Sequence, residues 1–173
     1  MQRQVAQRVP FRARDDGAAT TGSERVLLVG SIGGHLTQLM ALRDWWQSHE
    51  RAWCTFDTPD ARGHLAGERR VAWAHQPTTR NIPNLVRNTF LAWRVLRAFR
   101  PTVIATTGAG VALPFFALGK LMGVHTAYIE VYDRVDSATL TARLCRPFTD
   151  TMCVQWPEQM SLYPGAHVIG PLL

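Results

Sequence analysis

The sequence predicts an α/β fold, a parallel sheet with helices on both faces. Three observations carry this prediction. Short apolar runs, several of them β-branched, alternate with stretches of helical periodicity along most of the chain. Two glycine turns, at 30–34 and 108–110, each follow such a run and precede a helical stretch. The 173 residues suffice for one domain with a full core and are too few for two ordinary ones.

Residues 1–23 are polar, carry arginines and lack the apolar segment of a signal peptide. They read as a flexible leader, or alternatively as a basic arm, ahead of one Rossmann-like domain over 24–173. That domain opens on a buried strand, Arg25–Val29, and Leu36, Leu39, Met40 and Trp46 then follow at helical spacing. Ala52–Phe56 reads as a second strand, 57–67 as loop or short helix, and Val71–His75 as a strand ended by Pro77. Ile82–Phe99 is a long helix, Thr102–Thr106 a strand, Val111–Met122 a helix and His125–Glu130 a strand. Leu140–Arg146 reads as a short helix, with strands at Thr149–Val154 and Ala166–Ile169.

The net charge is +6, and Lys120 is the only lysine, so arginine carries nearly all of the positive charge. Such a balance favours an anionic partner: nucleic acid, an acidic membrane face or a phosphorylated substrate. Nucleic acid is disfavoured, because the arginines are not interleaved with an aromatic platform. Cys54, Cys145 and Cys153 are odd in number and form no C-x-x-C, which speaks against a disulfide framework or a zinc site. The six histidines show no metal-ligand spacing, so no metal or cofactor is expected. No apolar run reaches the ~20 residues of a membrane-spanning helix; Ala109–Val124 is interrupted by Pro114, Gly119 and Lys120.

The stretch Gly30-Ser31-Ile32-Gly33-Gly34-His35 joins a strand to a helix. A helix N-terminus offers unpaired N–H groups and partial positive charge, which suits a phosphate. Gly33 and Gly34 keep side chains out of the way, and Ser31 adds a hydroxyl. His35 falls in the first helical turn, where the dipole favours neutral imidazole, the form a general base requires. The bland reading is a tight turn with a capping histidine. Thr106-Thr107-Gly108-Ala109-Gly110 can present Thr107, Gly108 and Gly110 to a sugar or second phosphate, or be a packing turn. Glu130 and Arg134 close another strand; they can serve as base and phosphate ligand, or pair with each other. All three segments start at carboxyl ends of strands, where ligands of parallel sheets sit.

Helix 82–99 carries an apolar series, Ile82, Leu85, Val86, Thr89, Trp93 and Leu96, expected to pack on the sheet. Its basic series includes Arg87, Arg94 and Arg97, with Phe90 at the border. Solvated arginines are one reading and an anionic membrane surface the other.

Several ordered segments together resemble a known family. Val-Gly-Ser-Ile-Gly-Gly-His at 29–35 and Thr-Thr-Gly-Ala-Gly-Val-Ala-Leu-Pro at 106–114 resemble the two glycine loops of two-domain GT-B glycosyltransferases. Tyr-Ile-Glu-Val-Tyr-Asp-Arg at 128–134, Val-Gln-Trp at 154–156 and Tyr-Pro-Gly-Ala at 163–166 narrow the resemblance. They are similar to the acceptor-side subunit of split glycosyltransferases, the PssD, EpsE and CpsF kind, whose eukaryotic counterpart anchors the dolichol-linked UDP-N-acetylglucosamine transferase.

The resemblance implies a Rossmann-like domain equivalent to the N-terminal half of a GT-B enzyme. It implies a partner, a separate donor-binding glycosyltransferase subunit that brings the UDP-sugar, and a polyprenyl-diphosphate-linked acceptor. It places the protein peripherally on the cytoplasmic face of the plasma membrane. His35 is then the first candidate base and Glu130 the second. Ser31, Gly33, Gly34, Thr107, Gly108, Gly110 and Arg134 are the expected substrate contacts. Two other readings stay open: a non-catalytic membrane scaffold, and a dinucleotide-binding domain in which Asp57 takes a ribose hydroxyl.

Overall fold

A computed structural model describes residues 24–173; the expected leader lies outside the described residues. Seven parallel strands form one sheet: β1 (Arg25–Val29), β2 (Glu50–Phe56), β3 (Val71–Ala74), β4 (Val103–Thr106), β5 (His125–Ile129), β6 (Thr151–Val154) and β7 (His167–Val168). Their order is β3-β2-β1-β4-β5-β6-β7. The chain winds outward from β1 in one direction and, after β3, returns to place β4 on its other side. The order therefore reverses between β1 and β4, where Val29 pairs with Thr106. At such a reversal the connections leave on opposite faces, and a crevice opens beyond the strand ends.

Six helices cover the faces: α1 (Gly34–Ala41), α2 (Arg43–Trp46), α3 (Pro59–His64), α4 (Ile82–Phe99), α5 (Ala112–Leu121) and α6 (Leu140–Cys145). Alternate residues of each strand point to opposite faces. Val26 and Leu28 thus pack with Leu36, Leu39, Trp46 and Ala61 from α1, α2 and α3. Leu27, Val29 and Ile104 pack with Leu96, Phe115, Phe116 and Cys145 from α4, α5 and α6. Burial on both faces explains why the central strands are continuous apolar runs. The three cysteines are buried and unpaired, and burial pushes the Cys145 and Cys153 thiols up to about 12.

Helix α4 corrects one expectation. Of the series Ile82, Leu85, Val86, Thr89, Trp93 and Leu96, only Leu96 is buried. The face against the sheet is Asn84, Asn88, Ala92 and Leu96. The asparagines face inward because the segment leaving β3 presents backbone groups that need partners. Asn88 accepts from the His75 N–H at 2.8 Å and donates to the His75 carbonyl at 2.9 Å. Asn84 donates to the Pro77 carbonyl at 3.0 Å. Ile82, Val86, Phe90 and Trp93 are left on the outer face, with Arg97 lying over the Trp93 ring.

Asn88→Ala leaves the His75 N–H and carbonyl without their side-chain partner. We expect a loss of about 1–3 kcal/mol in unfolding free energy, read by urea denaturation.

Candidate functional site

The two glycine turns meet at the reversal between β1 and β4 and are bonded to each other. The Thr107 hydroxyl donates to the His35 carbonyl at 2.8 Å. His35 Nδ1 lies 2.9 Å from the Thr107 carbonyl. A carbonyl only accepts, so Nδ1 carries the hydrogen and Nε2 keeps its lone pair. Nε2 has no hydrogen-bond partner among the described residues.

Local sequence sets up this contact. Gly33 caps α1 at φ 64, in the left-handed region that favours glycine, and turns the chain from β1 into the helix. No side chain caps α1 and no acidic residue stands in its first turn. The N–H groups at its start remain for a ligand. A Cβ at Gly33 or Gly34 would meet nothing within 4 Å, so the space above is open. Gly108, at φ 113, serves a different purpose: a Cβ there would come within 2.9 Å of the Tyr128 hydroxyl and 3.2 Å of the His35 ring. Its absence lets the imidazole lie against the second turn. Ala109 follows in the same rare region at φ 71, a strained conformation for a residue with a Cβ.

Burial lowers the His35 pKa below its ordinary 6.5, opposed by the Thr107 hydrogen bond and by the negative charge of Asp133. Asp133 stands in the loop after β5, and its charge is felt at His35. The sequence marks it only as part of a polar strand end, since spacing does not show which charge of that loop bears on the imidazole.

The other expected contacts divide. Ser31, Gly33 and Gly34 lie along the open side, and Gly108 backs the imidazole. Thr107 is fully buried; its hydroxyl is spent on the His35 carbonyl and is not offered to a substrate. Gly110 faces Thr78, whose hydroxyl would lie 3.0 Å from a Cβ there. Arg134 is exposed and makes no side-chain hydrogen bond or ion pair among the described residues, so the alternative Glu130–Arg134 pairing is not formed.

Glu130 requires a correction. It is 0% exposed, so its carboxyl cannot take a proton from a substrate in the crevice. The Val131 N–H donates to it at 3.1 Å, and the Tyr163 and Thr139 hydroxyls also donate. Burial raises its pKa above the ordinary 4.5. Thr139 in turn caps α6, accepting from the Ala142 N–H at 3.1 Å. Gln159 donates to the Val131 and Arg134 carbonyls, both at 2.9 Å. Glu130, Tyr163 and Gln159 therefore brace from below the loop that carries Asp133 and Arg134. Sequence reading missed Gln159 and Tyr163, which come from about 30 residues further on.

The acidic limb of any rate that needs neutral His35 should lie below pH 6.5. Asp133 favours the imidazolium, so Asp133→Asn should move the His35 midpoint lower still. An NMR titration of the His35 ring protons reads this directly; an upward or absent shift contradicts the assignment.

Comparisons with known proteins identify the family. The family described as "Oligosaccharide biosynthesis protein Alg14 like" matches residues 64–172. The UDP-N-acetylglucosamine transferase subunit alg14 of Schizosaccharomyces pombe is 36% identical over 75 residues, covering 40% of this chain and 36% of that one. The UDP-N-acetylglucosamine--N-acetylmuramyl-(pentapeptide) pyrophosphoryl-undecaprenol N-acetylglucosamine transferase of Moorella thermoacetica is 31% identical over 117 residues, covering 66% of this chain and 28% of that one. The alignments thus take in only 36% and 28% of the length of these curated relatives. Among solved structures, Acinetobacter baumannii MurG superposes with a TM-score of 0.68 at 17% identity, over 84% of this chain and 44% of that one. That likeness establishes the fold, a Rossmann-like unit of the kind found in GT-B proteins. Given the extent of the family match, the chain belongs to the Alg14-like family of oligosaccharide biosynthesis proteins.

Proposed function

We propose that this chain is the acceptor-side subunit of a glycosyltransferase that moves a sugar from a UDP-sugar to a polyprenyl-diphosphate-linked acceptor. The donor would be held by a separate subunit. The observation that carries the reading is His35: a base with a fixed tautomer and a bare Nε2, beside an uncapped helix N-terminus at the reversal of the sheet. The relatives' names support the substrate classes, since they specify UDP-N-acetylglucosamine and, in one case, a pyrophosphoryl-undecaprenol acceptor.

In this mechanism the acceptor diphosphate rests on the N–H groups at the start of α1, above Gly33 and Gly34, with Ser31 and Arg134 beside it. The acceptor hydroxyl gives its proton to His35 Nε2. Its oxygen bonds to the anomeric carbon as the bond to UDP breaks, and UDP leaves with the electron pair. Thr107 holds the ring in register, and Asp133 stabilises the imidazolium that forms. The outer face of α4, with Phe90, Trp93, Arg87, Arg94 and Arg97, would rest on the anionic inner leaflet as a peripheral contact.

With the donor subunit co-expressed, His35→Ala should lower kcat by ~10²–10⁴ and change KM for the acceptor only a few-fold. Full transfer by that variant would leave a scaffold role instead. Liposomes rich in anionic lipid should sediment the chain in a salt-sensitive manner. Reversing Arg87, Arg94 and Arg97 to glutamate should abolish this, and undiminished binding would remove α4 from the membrane.

A further inference from the structure

A groove of about 750 Å³ runs between the start of α4 and the outer side of α6. Its floor is Leu113, on the first turn of α5, and its walls are Ile82 and Leu85 on one side and Leu140 and Leu144 on the other. These wall residues are between 40% and 73% exposed, unusually open for branched aliphatic side chains. We propose that this groove receives the first isoprene units of the acceptor's lipid chain. The proposal rests on the acceptor reading above and specifies where the hydrocarbon attached to the diphosphate lies.

Three observations select this occupant. The groove begins at the reaction rim, since Gly110 of the second glycine turn forms part of its lining. Its inner end is polar and basic, formed by Thr78, Thr79 and Arg80, and no acidic side chain among the described residues lines it. Apolar walls leading away from a cationic, hydroxyl-bearing end match an amphiphile with an anionic head. The apolar surface also continues: Ile82 belongs both to the groove and to the outer face of α4, which runs on through Val86, Phe90 and Trp93. A hydrocarbon chain leaving the rim therefore stays on apolar surface until it reaches the face with Arg87, Arg94 and Arg97. Helix α6 is fixed for this purpose by Thr139, which caps it while donating to buried Glu130.

The test uses the full chain and three probes: inorganic diphosphate, geranyl diphosphate and geranylgeranyl diphosphate, each titrated calorimetrically below its micelle concentration. Geranylgeranyl diphosphate should bind at least ~10-fold tighter than inorganic diphosphate, with geranyl diphosphate between them. Leu85→Gln and Leu144→Gln should each remove most of that advantage and leave the affinity for inorganic diphosphate unchanged. Leu140→Gln, at the most exposed wall position after Ile82, provides a milder variant should either of the others unfold. Leu121→Gln, 82% exposed at the far end of α5, is the control and should have no effect. A prenyl advantage that survives both Leu85→Gln and Leu144→Gln overturns the groove assignment and leaves the diphosphate site standing. Failure of all three probes to bind overturns both. Loss of binding to the donor subunit in the groove variants, with the prenyl advantage intact, makes the groove a protein interface and overturns the proposal.

Discussion

The site depends on one reciprocal pair of hydrogen bonds. Thr107 and His35 lie 72 residues apart in sequence, and each bonds to the other's backbone. One bond orients the imidazole and the other ties the start of α1 to the strand that adjoins β1. β1 and β4 are neighbours and their helices leave on opposite faces, which makes room for that arrangement. The fold thus sets the uncapped start of α1 beside an imidazole whose Nδ1 is held by the second turn.

A second constraint is the brace beneath the loop after β5. A carboxyl with 0% exposure is costly unless every oxygen finds a donor. Glu130 meets this with a backbone N–H and two hydroxyls, and Gln155 extends the network by donating to the Glu130 carbonyl at 2.9 Å. Polar side chains thus tie down the backbone of the loop that carries Asp133 and Arg134. Such networks are specific because a partly satisfied version is worse than none.

Much of the architecture was legible in the sequence. Strands buried on both faces leave unbroken apolar runs, and the glycine turns mark where they end, so the order of elements and the meeting of 30–34 with 108–110 followed directly. Two features were not legible. Periodicity locates the apolar side of a helix but does not say that this side faces inward; α4 turns Asn84 and Asn88 to the sheet because the backbone at His75 and Pro77 needs partners. A strand end likewise does not reveal which way its last side chain points. Glu130 is drawn under the loop by Tyr163, whose position relative to β5 depends on the intervening α6 and β6. The place of His35 in the first turn of α1 was legible because the glycines mark where that helix begins.

The outward apolar side of α4 has a consequence for encounter. Eighteen residues of helix span about 27 Å, a length comparable to a small domain, with the N-terminal end across a groove from Gly110 of the second glycine turn. A protein resting on that side would meet a lipid-borne substrate by sliding within a plane. The relevant abundance would then be the substrate's mole fraction among the lipids, and the volume of the surrounding solution would cease to matter.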